Sequence, residues 1–390
     1  MGYKGGFEIG DTWMPLIKDG GYSPPTPTYN VWGIRINTLD SNPLTCVTLT
    51  DDNLNGPIYG FGERPCVFRN GEVQYYLNPN NFNQREDGSA VDITSGADGD
   101  VMIEIPKMAF LIATEGTDTV IKLTNSKDAK SIDPRFRYYG HTRASEGDRE
   151  KLYMGAYLAS TGMRSLPGRA PLVSQTIGQF RSAAKAHGAG YDQLSFYPMT
   201  LTQIMYLMKY RNLDSKTALG VGVARSPTGA YSNPSGAMNT GGSETHGMYY
   251  GRTDIADHVK FAVIENWYGN MWQRFDGIHA GAGQTLLTAF DSFNDTGAGY
   301  TSRGAFPTTS SGWLREPLGT TEGGFVSGND NGSSTTYYCN YTWTSASGWV
   351  GGLFGGSWNA AAGGVGAFFL SLSHAAADSL SHVGSRLMFL

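Results

Sequence analysis

Short alternations of apolar and polar residues dominate the first part of the chain. The segments 30–37 and 45–50 are rich in strand-forming residues and are bounded by Asp, Asn, Gly and Pro, a pattern typical of short strands joined by turns. Between residues 101 and 105, Val and Ile alternate with Met102 and Glu104, which predicts a strand with one buried face. A further apolar strand is predicted over 151–159.

Two helices are predicted in the middle of the chain. Thr176 and Gln179 have the spacing of a capping box, in which each side chain bonds the other residue's backbone N–H, and Gly188 is placed to end that helix. The second helix is predicted from about Thr200. Apolar residues recur at helical spacing in both: Ile177, Phe180, Ala183 and Ala184 in the first, and Leu201, Ile204, Met205 and Met208 in the second.

Beyond about residue 220 the helical periodicity disappears, and Gly, Ser, Thr and aromatic residues take over. The aromatic side chains indicate packed loops rather than disorder: Trp267, Trp272, Trp313, Tyr337, Tyr338, Trp343 and Trp349. Two compact strand signals follow, over 366–372 and 384–390. The first predicts one inward and one outward set of side chains: Phe369, Ser371 and Ser373 against Leu370 and Leu372.

Composition favours a fold of short strands and long ordered loops. The 390 residues include 53 Gly, 22 Tyr and 18 Phe; glycine permits tight turns, and aromatic residues suit half-buried strands. Hydrophobic residues make up 40% and charged residues 16%, so a core can form. A polar, Gly/Ser-rich break at 92–100 predicts two domains: a β-rich attachment or oligomerisation domain over 1–90 and a ligand-binding domain over 91–390.

Charge and hydropathy exclude several classes of partner. A net charge of −5 leaves no basic surface of the kind that binds nucleic acid. No apolar run is long enough to span a membrane, and Met1 is not followed by a charged and then apolar leader. We therefore expect no nucleic-acid partner, no membrane insertion, and synthesis in the cytoplasm without Sec export. These expectations fit a virion part released by lysis as well as a cytosolic enzyme.

Several motifs, most of them in the C-terminal half, resemble one family. The motifs are Gly355-Gly356-Ser357-Trp358, Gly366-Ala367-Phe368-Phe369-Leu370, Gly384-Ser385-Arg386-Leu387, Ile264-Glu265-Asn266-Trp267-Tyr268-Gly269-Asn270-Met271-Trp272, Leu318-Gly319-Thr320-Thr321-Glu322-Gly323-Gly324 and the stretch 136–157. Together they resemble the phage variable proteins that retroelements diversify. Those proteins have the C-type-lectin fold in the version shared with the formylglycine-generating enzyme. The resemblance covers about residues 100–390.

The resemblance implies a particular architecture. We expect an α+β, C-type-lectin-like fold with short strands, two main helices and long ordered loops, preceded by a small β-rich N-terminal domain. In this family the two ends of the fold pair as adjacent strands, so the segment 151–159 is expected beside 384–390. The physical reading of the motifs agrees, because Gly355-Gly356 permits a tight turn and Trp358 can anchor it by burial. Arg386 lies between apolar neighbours and is expected in a paired, partly buried contact.

The resemblance also predicts a ligand-binding surface in a variable region over 353–390. In such proteins the varied positions come from Asn codons, and each candidate here is reachable by changing the first two bases of one. Lys, Glu, Gln, Met and Trp are not reachable in this way, and none occurs over 359–387. The candidate ligand-binding residues are Ser357, Asn359, Ala360, Ala362, Gly363, Ser371, Ser373, His374, Asp378, Leu380 and His382.

Catalytic and metal-binding signals are weak. The formylglycine-generating enzyme uses a pair of C-terminal cysteines, whereas only Cys339 lies in that half, and a buried or incidental thiol is the expected alternative. His141 and His246 could contact a ligand or be structural. Asp291, Asn294 and Asp295 suit turns better than calcium. Glu316-Pro317-Leu318 does not match the calcium–sugar motif of lectins. We predict no catalytic residue, no metal site and no cofactor.

The expected function is adhesion. The resemblance implies a non-enzymatic receptor-binding protein at the phage tail tip, made in the host cytoplasm, that recognises a bacterial surface protein or glycan. Other phage tail proteins are expected partners, and the resemblance implies a homotrimer. Three alternatives stay open: a sulfatase-modifying-like enzyme or tail-associated depolymerase, a purely structural tail component, and a Gly/Ala-rich tail without function.

Overall fold

The computed structural model describes residues 6–8, 13–15, 29–50, 58–224, 236–307, 311–344, 350–360 and 364–390. The described residues before 125 form ten strands: β1 (Gly6–Glu8), β2 (Trp13–Pro15), β3 (Val31–Asn37), β4 (Val47–Leu49), β5 (Arg64–Arg69), β6 (Glu72–Asn78), β7 (Asn81–Arg85), β8 (Asp100–Pro106), β9 (Ala109–Glu115) and β10 (Asp118–Thr124). The strands predicted over 30–37 and 45–50 correspond to β3 and β4, and are confirmed.

The α-helices of the described residues all lie in the middle of the chain. They are α1 (Ala129–Ile132), α2 (Ile177–Lys185), α3 (Phe196–Tyr210) and α4 (Ser215–Ala218). Single 3₁₀ turns occur at Tyr139–His141, Thr161–Met163 and Ala282–Gln284. Four strands share this region: β11 (Thr142–Arg143), β12 (Gly147–Asp148), β13 (Lys151–Gly155) and β14 (Tyr191–Gln193).

The rest of the described chain is built of strands and loops. The strands are β15 (Lys260–Phe261), β16 (Ile264–Glu265), β17 (Trp272–Gly281), β18 (Thr285–Thr288), β19 (Thr301–Ala305), β20 (Gly312–Trp313), β21 (Glu316–Pro317), β22 (Ser327–Asn329), β23 (Tyr341–Thr344), β24 (Val350–Phe354), β25 (Leu370–Ala375), β26 (Val383–Gly384) and β27 (Leu387–Phe389). The predicted loss of helical periodicity beyond residue 220 is confirmed.

A seven-stranded sheet joins the two ends of the predicted ligand-binding domain. Its order is β14-β27-β13-β8-β5-β6-β7, and β13 pairs antiparallel with β27, with Tyr153 opposite Phe389. The predicted neighbourhood of 151–159 and 384–390 is therefore confirmed. The prediction of a half-buried strand over 101–105 is wrong, because β8 lies in the centre of the sheet and is buried on both faces, Glu104 included.

An eight-stranded sheet carries the C-terminal region. Its order is β19-β18-β17-β24-β25-β23-β20, and β26 pairs in parallel with β17. All ten residues of β17 are buried. The strand β25 lies between β24, to which it is antiparallel, and β23, to which it is parallel. These pairings place the predicted variable region on a sheet.

The α+β fold class is confirmed, with α2 and α3 as the two main helices. The capping box of α2 is present: Thr176 Oγ1 accepts from Gln179 N at 3.2 Å, and Gln179 Oε1 accepts from Thr176 N at 2.8 Å. Helix α3 begins at Phe196, four residues before the predicted start. Pro198 is tolerated in its first turn, where a backbone N–H has no intrahelical partner.

The division into domains 1–90 and 91–390 stays a prediction. Hydrogen-bonded pairs nevertheless cross it, because β5 pairs with β8, and β3 pairs with β10 in a four-stranded sheet of order β4-β3-β10-β9. Apolar side chains from both parts, including Ile34, Phe110 and Phe196, belong to one core cluster. Residues 64–90 are therefore packed against the second part of the chain.

Candidate functional site

The C-terminal region leaves β24 through a tight turn made by two glycines. Gly355 and Gly356 have φ values of 88° and 78°, which side chains other than glycine rarely adopt. A Cβ atom on Gly356 would overlap the carbonyl oxygen of Gly364 and lie 2.8 Å from Val365 Cα. The predicted role of this glycine pair is confirmed by the backbone geometry.

The predicted ligand-binding residues fall into three groups. Asn359 and Ser373 are exposed, and Ala360, His374, Asp378, Leu380 and His382 are half-buried; we refer to these seven as the C-terminal surface. Ser357 and Ser371 are buried, with 0% and 2% of their surface exposed, so their side chains do not contribute to an open surface. Ala362 and Gly363 lie outside the described residues.

Ser371 is buried because both faces of β25 are covered. Leu370 and Leu372 belong to the main core, whereas Phe369, on the opposite face, packs with Trp272 and Trp343. The predicted division into an inward and an outward set is therefore wrong up to Ser371, and exposure begins at Ser373. The two serine hydroxyls are 2.9 Å apart and hydrogen-bonded.

The segment 375–382 is held largely through its main-chain carbonyl oxygens. Those of Ala375 and Asp378 accept from Arg274 Nη2, both at 3.0 Å. Three further carbonyls accept from backbone N–H groups that also lie outside the segment: Ala376 from Ile177 at 3.3 Å, Leu380 from Ser174 at 3.1 Å, and His382 from Trp272 at 3.1 Å. Because these bonds use the main chain, they do not depend on which side chains the segment carries.

Arg274 supplies the one side-chain donor among these contacts and was missed by sequence reasoning. It lies on β17 and is fully buried, and Nε and Nη1 have no hydrogen-bond partner in the described part of the chain. Burial lowers the pKa of this guanidinium, and Asp378 opposes that shift. No local pattern distinguishes Arg274 from a surface arginine, because its contacts come from residues about one hundred positions later.

Two histidines and an aspartate form the polar part of the C-terminal surface. His374 Nδ1 lies 3.1 Å from Asp378 Oδ2, which also accepts from Ala375 N at 3.1 Å. Burial lowers the pKa of His382, and the neighbouring His374 lowers it further. The arrangement can donate and accept hydrogen bonds towards a ligand, while Asp378 holds His374 in place.

Aromatic side chains border this surface. Trp343 lies 4.9 Å from Tyr341 and 4.9 Å from Phe369, measured between ring centroids. Tyr341, Trp343 and Leu380 are half-buried and pack against one small apolar cluster. Half-buried aromatic rings provide contact area at low conformational cost. Tyr341 was missed from the sequence, although its alternation with Trp343 on one strand was a usable signal.

The motif that begins at Ile264 holds a neighbouring loop. Glu265 accepts from Gly241 N and Ser243 N, each at 2.8 Å. Asn270 makes two bonds to the backbone of Met238, at 2.8 and 2.9 Å, and its own carbonyl accepts from Trp358 N. The ring of Trp358 is half-buried, less enclosed than the predicted anchoring role implies.

Arg386 differs from its prediction. Instead of a partly buried pair, its guanidinium is fully buried and donates to carbonyl oxygens: Gly155 at 2.8 Å, Glu265 at 2.8 Å, Asn266 at 3.0 Å and Gln273 Oε1 at 3.1 Å. Burial lowers its pKa to about 9. Arg386 therefore joins β13, the loop after β16, and β17.

The cysteine, the two histidines and the possible calcium ligands named from the sequence are mostly buried or hydrogen-bonded to other residues. Cys339 is buried, and burial raises the pKa of its thiol to about 12. His141 is fully buried, whereas His246 is exposed and its ring lies 4.1 Å from that of Tyr250. Oxygens of the possible calcium ligands are engaged: Asp291 accepts from Ser145, Asn294 from Thr296 and Ala298, and Asp295 from Arg181.

Within the described ranges, no group of three or more His, Cys, Asp or Glu side chains could hold a metal ion. No helix in these ranges has both the length and the apolar character that a membrane crossing requires.

Comparisons with known proteins give only distant structural likenesses. No protein-family model matches the chain, and no curated protein matches it. A solved structure titled Major Tropism Determinant U1 Variant is similar, with 12% identity, a TM-score of 0.28, and coverage of 94% of this chain and 73% of that chain. At that TM-score the likeness supports no detailed correspondence of residues.

Proposed function

We propose that the chain is a non-enzymatic phage tail adhesin that binds a host surface ligand through the C-terminal surface. The carrying observation is the way in which 375–382 is held. Its main-chain carbonyls bond to Arg274, Ile177, Ser174 and Trp272, whereas side chains on the same segment reach solvent. A surface built in this way can change its side chains without losing its backbone contacts.

The chemistry of the surface fits reversible binding. Ser373, His374, Asp378 and His382 offer donors and acceptors, and Leu380 with Trp343 adds apolar area. Such a shallow face gives modest affinity per site. We propose that a homotrimer at the tail tip, together with many tail copies, compensates by making later binding events intramolecular. The ligand would be a bacterial surface protein or glycan, and other tail proteins would attach the trimer to the virion.

The motif resemblance supports variation at these positions by a retroelement. Within 359–387 every residue is of a type that can be reached by changing the first two bases of an Asn codon, because Lys, Glu, Gln, Met and Trp are absent from this stretch. The observation that would establish active variation is a near-copy of the coding stretch beside a reverse-transcriptase gene, with differences concentrated at adenines.

The test of this proposal is an exchange of the segment 357–382 between related tail proteins. We expect the exchanged protein to fold and to bind cells of the donor's host, and the purified protein to show no turnover of host glycans. Unchanged host range after the exchange would favour a purely structural tail component. Host-glycan depolymerisation by the purified protein would favour the enzyme alternative. Either result would overturn the proposal.

A further inference from the structure

A polar pocket lies away from the C-terminal surface. It has a volume of about 310 Å³ and is lined by Arg69, Asn70, Arg164, His187, Tyr191 and four residues of one loop: Gly96, Ala97, Gly99 and Asp100. His187 follows the C-terminal end of α2, whereas the N-terminal residue of that helix, Ile177, bonds to Ala376. The nine residues of α2 therefore separate the pocket from the C-terminal segment 375–382 by about 14 Å along the helix axis.

The loop that lines the pocket requires glycine at two positions. Gly96 and Gly99 have φ values of 68° and 144°. A Cβ on Gly96 would lie 2.7 Å from Leu166 and 2.8 Å from Arg164 Nη2, and one on Gly99 would overlap the carbonyl oxygen of Phe68. These two glycines belong to the polar stretch 92–100, for which the sequence predicts a domain boundary. The stretch also forms a tightly packed loop that lines the pocket.

The loop orients both arginines through its carbonyl oxygens. Arg164 Nη2 donates to Gly96 O at 2.8 Å and to Gly99 O at 3.3 Å, and Arg69 Nη1 donates to Ala97 O at 3.0 Å. Arg164 Nη1 has no hydrogen bond within the described residues, and Arg69 is exposed. The two guanidinium groups are thus positioned before any ligand arrives, which reduces the entropy lost on binding.

The charge of the lining is positive. Asp100 is the acidic residue of the pocket, and it is 4% exposed. Its Oδ1 accepts from Arg164 Nε at 2.9 Å and from Ser165 N at 2.7 Å, and its Oδ2 lies 3.7 Å from His187 Nδ1. The carboxylate is therefore buried and hydrogen-bonded, whereas Arg69 is exposed and Arg164 is half-buried.

We propose that this pocket, which we term the arginine pocket, binds a sugar-sized group that carries a carboxylate or a phosphate. A guanidinium attracts both anions and donates charge-assisted hydrogen bonds to them. The volume lies at the small end of the range for ligand pockets, about 300–1,000 Å³, and so fits a single sugar unit. The arginine pocket thus gives the protein a second binding site, specific for acidic glycan units and independent of the side chains at the C-terminal surface.

Isothermal titration of the full chain with single sugars tests this inference. We expect binding of glucuronate, glucose 6-phosphate or both, and none of glucose at the same concentration; the two acids distinguish a carboxylate from a phosphate preference. Arg69→Gln should weaken binding about tenfold, because one charge-assisted hydrogen-bonded contact is lost. Arg252→Gln is the matched control, since Arg252 is also exposed and pairs with Asp254 instead.

Three results would overturn the inference: no binding of either acid, equal binding of glucose, or an Arg69→Gln variant that binds as the wild type does. Arg69 is exposed, so its replacement leaves the fold intact, and the melting temperature of the variant verifies this. The outcome is separable from that of the proposed function, because substitutions at the C-terminal surface should leave the binding of acidic sugars unchanged.

Discussion

His141 is a fully buried side chain whose two ring nitrogens have no hydrogen-bond partner among the described residues. Burial lowers its pKa from 6.5 to about 3. The folded protein therefore keeps this ring neutral at pH values where the unfolded chain takes up a proton. Stability from this residue is complete above about pH 6.5 and is lost as the pH falls towards 3.

A His141→Leu variant should remove this pH dependence. Between pH 7 and pH 5 the wild type should lose about 2 kcal/mol of unfolding free energy more than the variant does. Urea unfolding at both pH values measures the difference, and the other titrating groups are common to both proteins. Equal losses in the two proteins would show that the folded state protonates His141 as readily as the unfolded chain does.

Arg386 is a second buried residue that contributes to the stability of the fold, through its hydrogen bonds to buried carbonyl groups. Replacement by Met should lower the unfolding free energy by about 3 kcal/mol or more, because the carbonyls of Gly155, Glu265 and Asn266 lose their donors while they stay buried. Arg252→Met, at an exposed position, should change it by about 0.5 kcal/mol or less. Chemical denaturation gives both values, and similar small effects would contradict the account of Arg386.

At the scale of elements, the turn after β24 sets the course of the C-terminal region. Gly356→Ala should cost about 3 kcal/mol, because a positive φ is combined with overlap against Gly364 and Val365. Gly304→Ala is the matched control: its φ is 90°, yet no atom lies within 4 Å of the added Cβ, so about 1 kcal/mol is expected. Thermal unfolding of both variants measures the two costs, and equal costs would show that the turn tolerates a side chain.

Elements with local signals could be predicted from the sequence, and those fixed by distant contacts could not. The capping box, whose two residues are three positions apart, marks the start of α2. The two glycines mark the turn at 355–356. The start of α3 was missed because its first turn is buried on all sides and lacks a polar face. Ser371 was placed outward because alternation along β25 says nothing of the aromatic residues of other strands that cover its face.

The candidate site was predictable to a similar degree. The five positions that the resemblance predicts from Ser373 onward are exposed or half-buried, whereas Trp343 was predicted only as part of a packed loop. Arg274 and the arginine pocket were not found, since their contacts join residues about 30 to 100 positions apart. Guanidinium groups that bond to backbone carbonyls leave no sequence pattern at the acceptor, because every residue provides a carbonyl.

At the scale of the whole molecule, we expect an assembly of three chains that presents several C-terminal surfaces together. Light scattering after size-exclusion chromatography should give three times the chain mass of 42.1 kDa. Several linked copies are needed for the gain in avidity, since a single surface binds weakly, and the proposed trimer supplies three. A monomer at micromolar concentration would contradict the expected trimer.

Binding of the labelled, purified protein to host cells tests the central claim most directly. A variant with Ser373→Asp, Asp378→Asn and Leu380→Ser should stay folded, because the main-chain bonds of 375–382 remain. Its melting temperature should fall by a few degrees, because Leu380 leaves its apolar cluster, and its cell binding should fall at least about tenfold. The matched control replaces Glu72, Gln74 and Glu150, which are exposed elsewhere on the molecule, and should bind as the wild type does. Equal cell binding by the two variants would contradict a ligand-binding role for the C-terminal surface.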